Sequence, residues 1–320
     1  MILVMGGAGY IGSHTVKHLI ENGYEVVVAD NLSMGHREAV TTPHFEIADL
    51  ADKDSLDRVF KKYKIDAVIH FAAFIAVGES VENPAKYYRN NVVGTINLLD
   101  VMLANNVKNI VFSSTAAVFG NPDYTPIDEA HKTSPINPYG WTKLMIEKIF
   151  ADYRRAYGLN YIALRYFNAS GCSTDGTIGE SHNPETHLIP LVLKAIKGDR
   201  ENIKVFGTDY DTPDGTCIRD YIHVEDLALA HRLAIENIAK FSGTINLGTS
   251  TGTSVKEIIK IAEKVTGKPC PTVFEARRAG DPAILCADNK KAGEILGWHS
   301  THTMEDIIQT AWNWELNRKY

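Results

Sequence analysis

Tyr139 and Lys143 stand four residues apart in the string Asn137-Pro138-Tyr139-Gly140-Trp141-Thr142-Lys143. On a helix this spacing puts both side chains on one face. A free phenol has a pKa of about 10 and becomes a useful base near neutrality only beside a fixed positive charge. Lys143 is expected to supply that charge. A second chemical signal lies at the other end of the half-chain, in Gly6-Gly7-Ala8-Gly9-Tyr10-Ile11-Gly12. It follows an apolar run and opens a helical period, with glycines where a turn must be tight and where backbone must approach a pyrophosphate. Asp30 ends the next apolar run, the position from which a carboxylate takes the hydroxyls of an adenosine ribose. A 2′-phosphate would be repelled there, and Asn31-Leu32-Ser33 offers no Arg or Lys. NAD is therefore favoured over NADP.

The elements that must hold these groups alternate between short β-branched runs and helical periods. Strands are expected at Ile2 to Met5, Glu25 to Asp30, Asp66 to His70, Asn109 to Ser113 and Tyr161 to Arg165, with a helix from Ile11 to Asn22. Such alternation predicts a Rossmann-type α/β fold, a doubly wound parallel sheet covered by helices on both faces. A single helix is expected from Pro84 to Asn105. It is apolar on more than one stripe (Val92, Val93, Ile96, Leu98, Leu99, Val101, Met102, Leu103), which suits a second buried face at a subunit interface. Residues 168–186 are rich in Gly, Ser, Thr, Asn and Asp and lack a period, as in a crossover between lobes. Beyond it, helices near Leu188 to Lys197, Glu225 to Ile235, Ser254 to Val265 and Thr303 to Trp314 belong to a smaller mixed α/β lobe. The expected division is 1–168 for the dinucleotide domain and 169–320 for the substrate lobe, with some segments of the second returning to the first.

The net charge of −6 over 320 residues, with basic residues scattered, argues against nucleic acid as a partner. Cys172, Cys217, Cys270 and Cys286 form no C-x-x-C pair or zinc spacing, so reduced thiols in a cytoplasmic protein and no metal are expected. The apolar run at the N-terminus is too short for a signal peptide, and no run is long enough to span a membrane.

Together, the glycine spacing and the Tyr-x-x-x-Lys pair resemble the extended short-chain dehydrogenase/reductase family. Further strings narrow the resemblance to its UDP-glucose 4-epimerases: the N-terminal glycine string continued by Ser13-His14, Ala76-Val77-Gly78-Glu79-Ser80, Leu164-Arg165-Tyr166-Phe167-Asn168 and Arg219-Asp220-Tyr221-Ile222-His223-Val224. The likeness runs over nearly the whole chain. It implies an NAD enzyme acting on UDP-sugars. Gly6, Gly9, Tyr10, Ile11, Gly12, Asp30, Asn31, Ser33, Asp49, Leu50, Phe71, Ala72, Ala73, Asn90, Ser113 and Tyr166 would then lie along the cofactor, together with Tyr139 and Lys143. Thr115 takes the place of the family's catalytic Ser or Thr. Phe167, Asn168, His187, Leu188, Phe206, Arg219, Arg278, Asp281 and Leu285 fall where the family holds the nucleotide sugar, alongside Thr115 and Tyr139. Two arginines from separate segments suit a diphosphate clamp, with Phe206 against the uracil and Arg277 a solvated neighbour. The chain departs from the pattern at Met5, Ile75, His187 and Phe119, and Ile75 removes one cationic contact to the cofactor.

The implied reaction is reversible 4-epimerisation of UDP-glucose and UDP-galactose. Tyr139 takes the proton of the sugar 4-hydroxyl, with Lys143 and the positive nicotinamide ring lowering its pKa, while hydride passes to NAD. The resulting 4-keto sugar then turns its other face and is reduced. A 4,6-dehydratase of the family would need an acid and a base beside Thr115, where this chain has Ala116-Ala117. A UDP-uronic acid epimerase would need a cation for the sugar carboxylate, and none is evident. A non-catalytic NAD-sensing module would not be expected to keep Thr115, Tyr139 and Lys143 together. The resemblance also implies a homodimer, with the Pro84 to Asn105 helix and the helix beginning at Tyr139 forming a four-helix bundle. Leu285 stands where larger residues of the family close the sugar pocket, which extends the expected substrates to UDP-N-acetylglucosamine and its galacto epimer.

Overall fold

Alternate side chains of a strand point to opposite faces, and here both faces are apolar. In β1 (Ile2–Met5), Ile2 and Val4 pack into one core, and Leu3 and Met5 into another. The computed structural model describes residues 1–278 and 281–320. The strands that follow are β2 (Val26–Asp30), β3 (Phe45–Ile47), β4 (Ala67–His70), β5 (Asn109–Thr115) and β6 (Asn160–Tyr166). From the crossover onward come β7 (Asn168–Ser170), β8 (Ile203–Phe206), β9 (Ile218–Arg219), β10 (Tyr221–His223), β11 (Gly243–Leu247), β12 (Thr253–Ser254), β13 (Thr272–Glu275) and β14 (Ile284–Leu285). The central sheet is parallel throughout and runs β11-β6-β5-β4-β1-β2-β3.

The order reverses beside β1. Such a switch point opens a crevice at the carboxyl ends of the strands, where ligands bind in doubly wound sheets. Both the glycine string and Asp30 sit at those ends.

The chain leaves the sheet after β6 and comes back to it. β11 pairs with β6, and the helix Val224–Asn237 lays Leu227, Ala230 and Ala234 against Val16 and Leu19 of the helix Tyr10–Glu21. The rest of the C-terminal part has its own core, built from the helices Leu188–Lys197, Val255–Thr266 and Met304–Leu316. Its small sheets place β9 between β12 and β14, and pair β10 with β7 and β13 with β8. β7 lies inside the crossover that shows no period in sequence; three residues are too few for alternation to register.

The stretch expected as one helix from Pro84 to Asn105 is three joined pieces: Pro84–Tyr87, a π-helical turn Tyr88–Val93, and Gly94–Ala104. Leu98, Leu99, Val101 and Met102 are buried, whereas Val93 remains half exposed. The apolar residues therefore occupy two faces, of which the subunit itself covers one.

Candidate active site

The helix Pro138–Tyr157 starts where its sequence says it should. The Asn137 side chain accepts from the Gly140 N–H at 2.8 Å, Pro138 takes the first turn, and Gly158 closes the far end in the left-handed region. Tyr139 thus lies in the first turn and Lys143 one turn on. Close packing of this helix on the loop after β5 depends on Gly140, because a Cβ there would sit 2.6 Å from the Ala117 carbonyl oxygen. That loop begins at Thr115, whose hydroxyl accepts from the Ala117 N–H at 3.1 Å.

Lys143 is buried. Its Nζ donates to the Ser113 carbonyl at 2.8 Å and lies 4.7 Å from the Phe112 ring centroid and 5.9 Å from that of Tyr139. The Ser113 hydroxyl is hydrogen-bonded to the Tyr166 phenol. Ser113, Thr115, Tyr139, Lys143 and Tyr166 are therefore brought together by β5, β6 and one helix.

The electrostatics of this group differ from the expectation that Lys143 makes Tyr139 a ready base. Burial pushes the Tyr139 phenol up to about 12, with the Thr115 hydroxyl beside it pulling the other way. Burial also brings Lys143 down to about 7, and Glu147 opposes that fall. Both groups are driven toward their neutral forms because each has lost its water. The side chains alone do not make phenolate the favoured state, so a further positive charge is needed beside Tyr139.

A stability test follows from the Lys143 shift. In the unfolded chain this amine holds its proton up to about pH 10.5, and in the folded, cofactor-free chain only to about pH 7. Between those values the unfolded state binds the extra proton, so Lys143 makes stability rise with pH across that window, and below it the full cost of burying the charge remains. The Tm of cofactor-free protein relative to Lys143→Met should therefore climb from pH 7 to pH 10. A difference that stays flat would show that Lys143 keeps its charge when folded.

At the mouth of the crevice, Gly12 and Gly9 shape the turn before the helix Tyr10–Glu21. A Cβ on Gly12 would fall 2.2 Å from the Gly6 carbonyl oxygen. Gly9 caps the helix without a side chain, leaving its first N–H groups for an anion, which the helix dipole also favours. Tyr10 turns its hydroxyl to the Gly171 carbonyl, and Ile11 packs on the core. Asp30 is buried and accepts from Ala8 N–H at 3.0 Å and Leu32 N–H at 2.8 Å. Burial raises its pKa in spite of these donors. Its oxygens keep lone pairs for further donors.

Beyond Asp30, Asn31 donates to Asp49 at 2.8 Å and accepts from the Ser33 N–H at 3.0 Å. Leu50 is buried, with its carbonyl held by Asn97. The N–H groups of Phe71 and Ala72 both reach the Met5 carbonyl, and Ala73 follows them into the loop after β4. Asn90 donates to Asn91 at 2.9 Å. An adenine dinucleotide fits this set: an open helix N-terminus behind a turn that tolerates no Cβ, and a carboxylate at the end of β2 with no cation beside it.

The C-terminal part contributes a second group. Phe167 and Leu285 pack on a cluster that includes Ala116, Val118, Phe119 and Leu144, so β14 is joined directly to the loop and helix that carry Thr115 and Tyr139. Asn168 Nδ2 donates to the Asp220 carbonyl at 2.7 Å. Arg219 pairs with Asp281 at 3.4 Å and not with Asp220, whose carboxylate takes N–H groups of Thr249 and Ala287. The Arg278 guanidinium lies 3.9 Å over the Phe206 ring. Arg277, expected to be solvated, bonds Asp209 at 2.7 Å and lies over Tyr210. Leu188 opens its helix, and His187 Nδ1 stands 2.8 Å from Glu180 and 2.9 Å from Glu185.

Two supporting residues escape the sequence reading. Asn91 accepts from the Phe74 N–H and donates to the Phe74 carbonyl and to Thr142, tying the loop after β4 to the helix that carries Tyr139 and Lys143. Glu147, one turn beyond Lys143, accepts from Ser114 at 2.6 Å and from Arg165 Nε and Nη2 at 2.9 and 2.6 Å. The same helical spacing that links Tyr139 to Lys143 would have singled out Glu147; nothing in sequence marks Asn91, which owes its inward direction to the π turn.

Residues 2–248 match the NAD dependent epimerase/dehydratase family. The UDP-glucose 4-epimerase of Halalkalibacterium halodurans is 54% identical over 316 residues, which cover 98% of this chain and 95% of that protein. Among solved structures, a UDP-glucose 4-epimerase from Brucella ovis in complex with NAD is 53% identical with a TM-score of 0.95, covering 97% of each chain. Another, from Bifidobacterium longum in complex with NAD+ and UDP, is 42% identical with a TM-score of 0.94 and covers 99% of this chain and 98% of that one. With the glycine cradle, the Tyr139–Lys143 pair and this likeness along the whole length, the chain belongs to the NAD dependent epimerase/dehydratase family.

Proposed function

We propose that this chain is an NAD-dependent UDP-glucose 4-epimerase, interconverting UDP-glucose and UDP-galactose through a 4-keto sugar. The observation that carries the reading is the convergence of Thr115, Tyr139 and Lys143 beside the glycine cradle, in a chain 54% identical to a UDP-glucose 4-epimerase over 98% of its length. NAD supplies, when bound, an acceptor and donor of hydride at carbon 4 and a fixed positive charge. Tyr139 takes the proton from the 4-hydroxyl at its phenolic oxygen and returns it when the centre is reduced again. Thr115 holds the reacting oxygen. Lys143, anchored on the Ser113 carbonyl, stands 5.9 Å from the centroid of the Tyr139 ring, and the further positive charge that favours phenolate would come from the bound cofactor.

Arg219 and Arg278 grip the diphosphate, with Asn168, His187, Leu188 and Asp281 around the nucleotide sugar. Phe206 takes the uracil on the face that Arg278 leaves open. These polar anchors fix the nucleotide while the hexose, with few charged neighbours, can turn over. Ala116 and Ala117 provide neither acid nor base for dehydration. The deciding assay is conversion of UDP-galactose to UDP-glucose by the purified chain without added cofactor, together with release of NAD on denaturation. No conversion with NAD added back would defeat the reading.

Two finer statements belong to the same proposal. The chain acts as a homodimer in the cytoplasm, a compartment that suits its four free cysteines. The exposed Val81, Val93, Trp141 and Met145 lie on and beside the two helices that would form the bundle. Sedimentation showing a monomer at micromolar concentration would remove the dimer. Leu285, smaller than a tyrosine, leaves room at the sugar pocket for an N-acetyl group. Leu285→Tyr should then depress turnover of UDP-N-acetylgalactosamine by about tenfold or more while sparing UDP-galactose, since a single bulky side chain discriminates by steric exclusion. Equal losses on both substrates would refute the assignment.

A further inference from the structure

The crossover between β7 and the helix Leu188–Lys197 gathers four metal-ligating side chains: Glu180, His182, Glu185 and His187. Only His187 has a place in the reading above, and the set as a whole has none. Glu180 Oε1 lies 3.1 Å from His182 Nδ1 and 2.8 Å from His187 Nδ1. Glu185 closes the ring, with Oε1 2.9 Å from His187 Nδ1 and Oε2 3.7 Å from His182 Nδ1. Carboxylate and imidazole alternate around a quadrilateral, and one ligand atom from each residue lies within 4.8 Å of all the others. Four ligand atoms this close need only small side-chain movements to surround one ion at about 2.1 Å, the bond length of imidazole nitrogen and carboxylate oxygen to zinc.

The ring is built into the fold. Its carboxylate side chains are only 5% and 3% exposed. The Glu180 carbonyl accepts from Trp314 Nε1 at 2.9 Å and Arg318 Nη2 at 3.0 Å, which anchors one corner on the C-terminal helix. Glu185 Oε1 is held by the N–H groups of Thr186 and His187 at 2.7 and 2.8 Å. Its other oxygen, Oε2, is buried and has no hydrogen-bond partner among the described residues. A carboxylate oxygen left so is costly, and a cation would offset that cost. His187 is the half-exposed corner, by which an ion can enter.

We propose that Glu180, His182, Glu185 and His187 bind one divalent transition-metal ion. Two carboxylates balance its charge, and two imidazoles select zinc, cobalt or nickel over magnesium or calcium, whose sites are made of oxygen. The cysteine spacing leads to an expectation of no metal; this donor set contains no sulfur, and the proposal departs from that expectation. The ion ties Glu180, on the side of the C-terminal helix, to His187, immediately before Leu188, and so stiffens the edge of the substrate lobe. It takes no part in the hydride chemistry.

Cobalt(II) is the probe, because its visible absorption reports nitrogen and oxygen ligands directly. Tag-free full-length protein, stripped with chelator and dialysed, should take up one equivalent of Co²⁺ with d–d bands that Zn²⁺ abolishes, and its Tm should rise with either ion. His182→Ala and Glu185→Gln should each weaken uptake by more than the roughly 10- to 100-fold that loss of a mere supporting residue costs. Circular dichroism checks that the variants are folded. Absence of stoichiometric bands in the unmodified chain overturns the site, whatever the variants do. Uptake unchanged in both folded variants also overturns it, and assigns the metal to adventitious surface groups.

Discussion

Tyr139→Phe should lower turnover of UDP-galactose by about 10²- to 10⁴-fold, the usual contribution of a positioned acid–base group. The substitution removes one oxygen and leaves the ring in place. The backbone N–H of residue 139 still donates to the Ser80 hydroxyl, and the Asn137 cap and the Gly140 approach to Ala117 are untouched. Folding should therefore be preserved, and burial of the ring without its hydroxyl removes a desolvation penalty. UDP affinity, measured calorimetrically, should hold, because the residues proposed to bind it lie on other segments. Loss confined to kcat with KM unchanged is the signature of an interaction made in the transition state. A variant that kept more than a tenth of wild-type turnover would rule out Tyr139 as the proton acceptor.

Glu147→Ala should carry the largest effect on stability, about 3–5 kcal/mol, the cost of breaking a buried ion pair by removing one partner. The side chains of Glu147 and Arg165 are 4% and 6% exposed, and the carboxylate satisfies Ser114 as well as both guanidinium nitrogens. Without it, Arg165 is left without its partner in the interior between β6 and the helix Pro138–Tyr157. Replacing both partners with apolar residues, Glu147→Leu with Arg165→Met, should recover most of the loss, since the uncompensated charge is gone. Urea unfolding of the single and double variants makes the comparison. A single variant within 1 kcal/mol of wild type would mean that water reaches Arg165. Removal of Glu147 also takes away the one influence that raises the Lys143 pKa against burial, so that pKa should fall further.

The sequence by itself determined what depends on neighbours a few residues apart. Short β-branched, apolar runs set between helical periods place β1, β2, β4, β5 and β6 within a residue or two of their observed ends, because each buries its own apolar side chains on both faces. Pro138 and Asn137 fix the start of the helix Pro138–Tyr157 locally, and four-residue spacing puts Tyr139 and Lys143 on its inner side. Asp30 is likewise legible, because it ends a strand whose register is set by its own valines.

Tertiary structure decided the rest. The apolar stripes of Pro84 to Asn105 suit one continuous helix, yet a π turn interrupts it and points Asn91 at the Phe74 loop, a choice set by partners seventeen and fifty-one residues away in sequence. The return of β11 to pair with β6, and of the Val224–Asn237 helix to pack on the Tyr10–Glu21 helix, is a matter of which surfaces find cover once the chain has collapsed. The convergence of Glu180, His182, Glu185 and His187 belongs to the same class: their spacing has no helical or strand period, and a crossover wrapped over Trp314 and Arg318 brings them into one ring. Burial sets the charge state of Tyr139 and Lys143. A spacing says that an amine stands near a phenol, but only the packed interior says how much water each has lost, and here that loss carries Tyr139 to about 12 and Lys143 to about 7, against the direction their proximity alone would give.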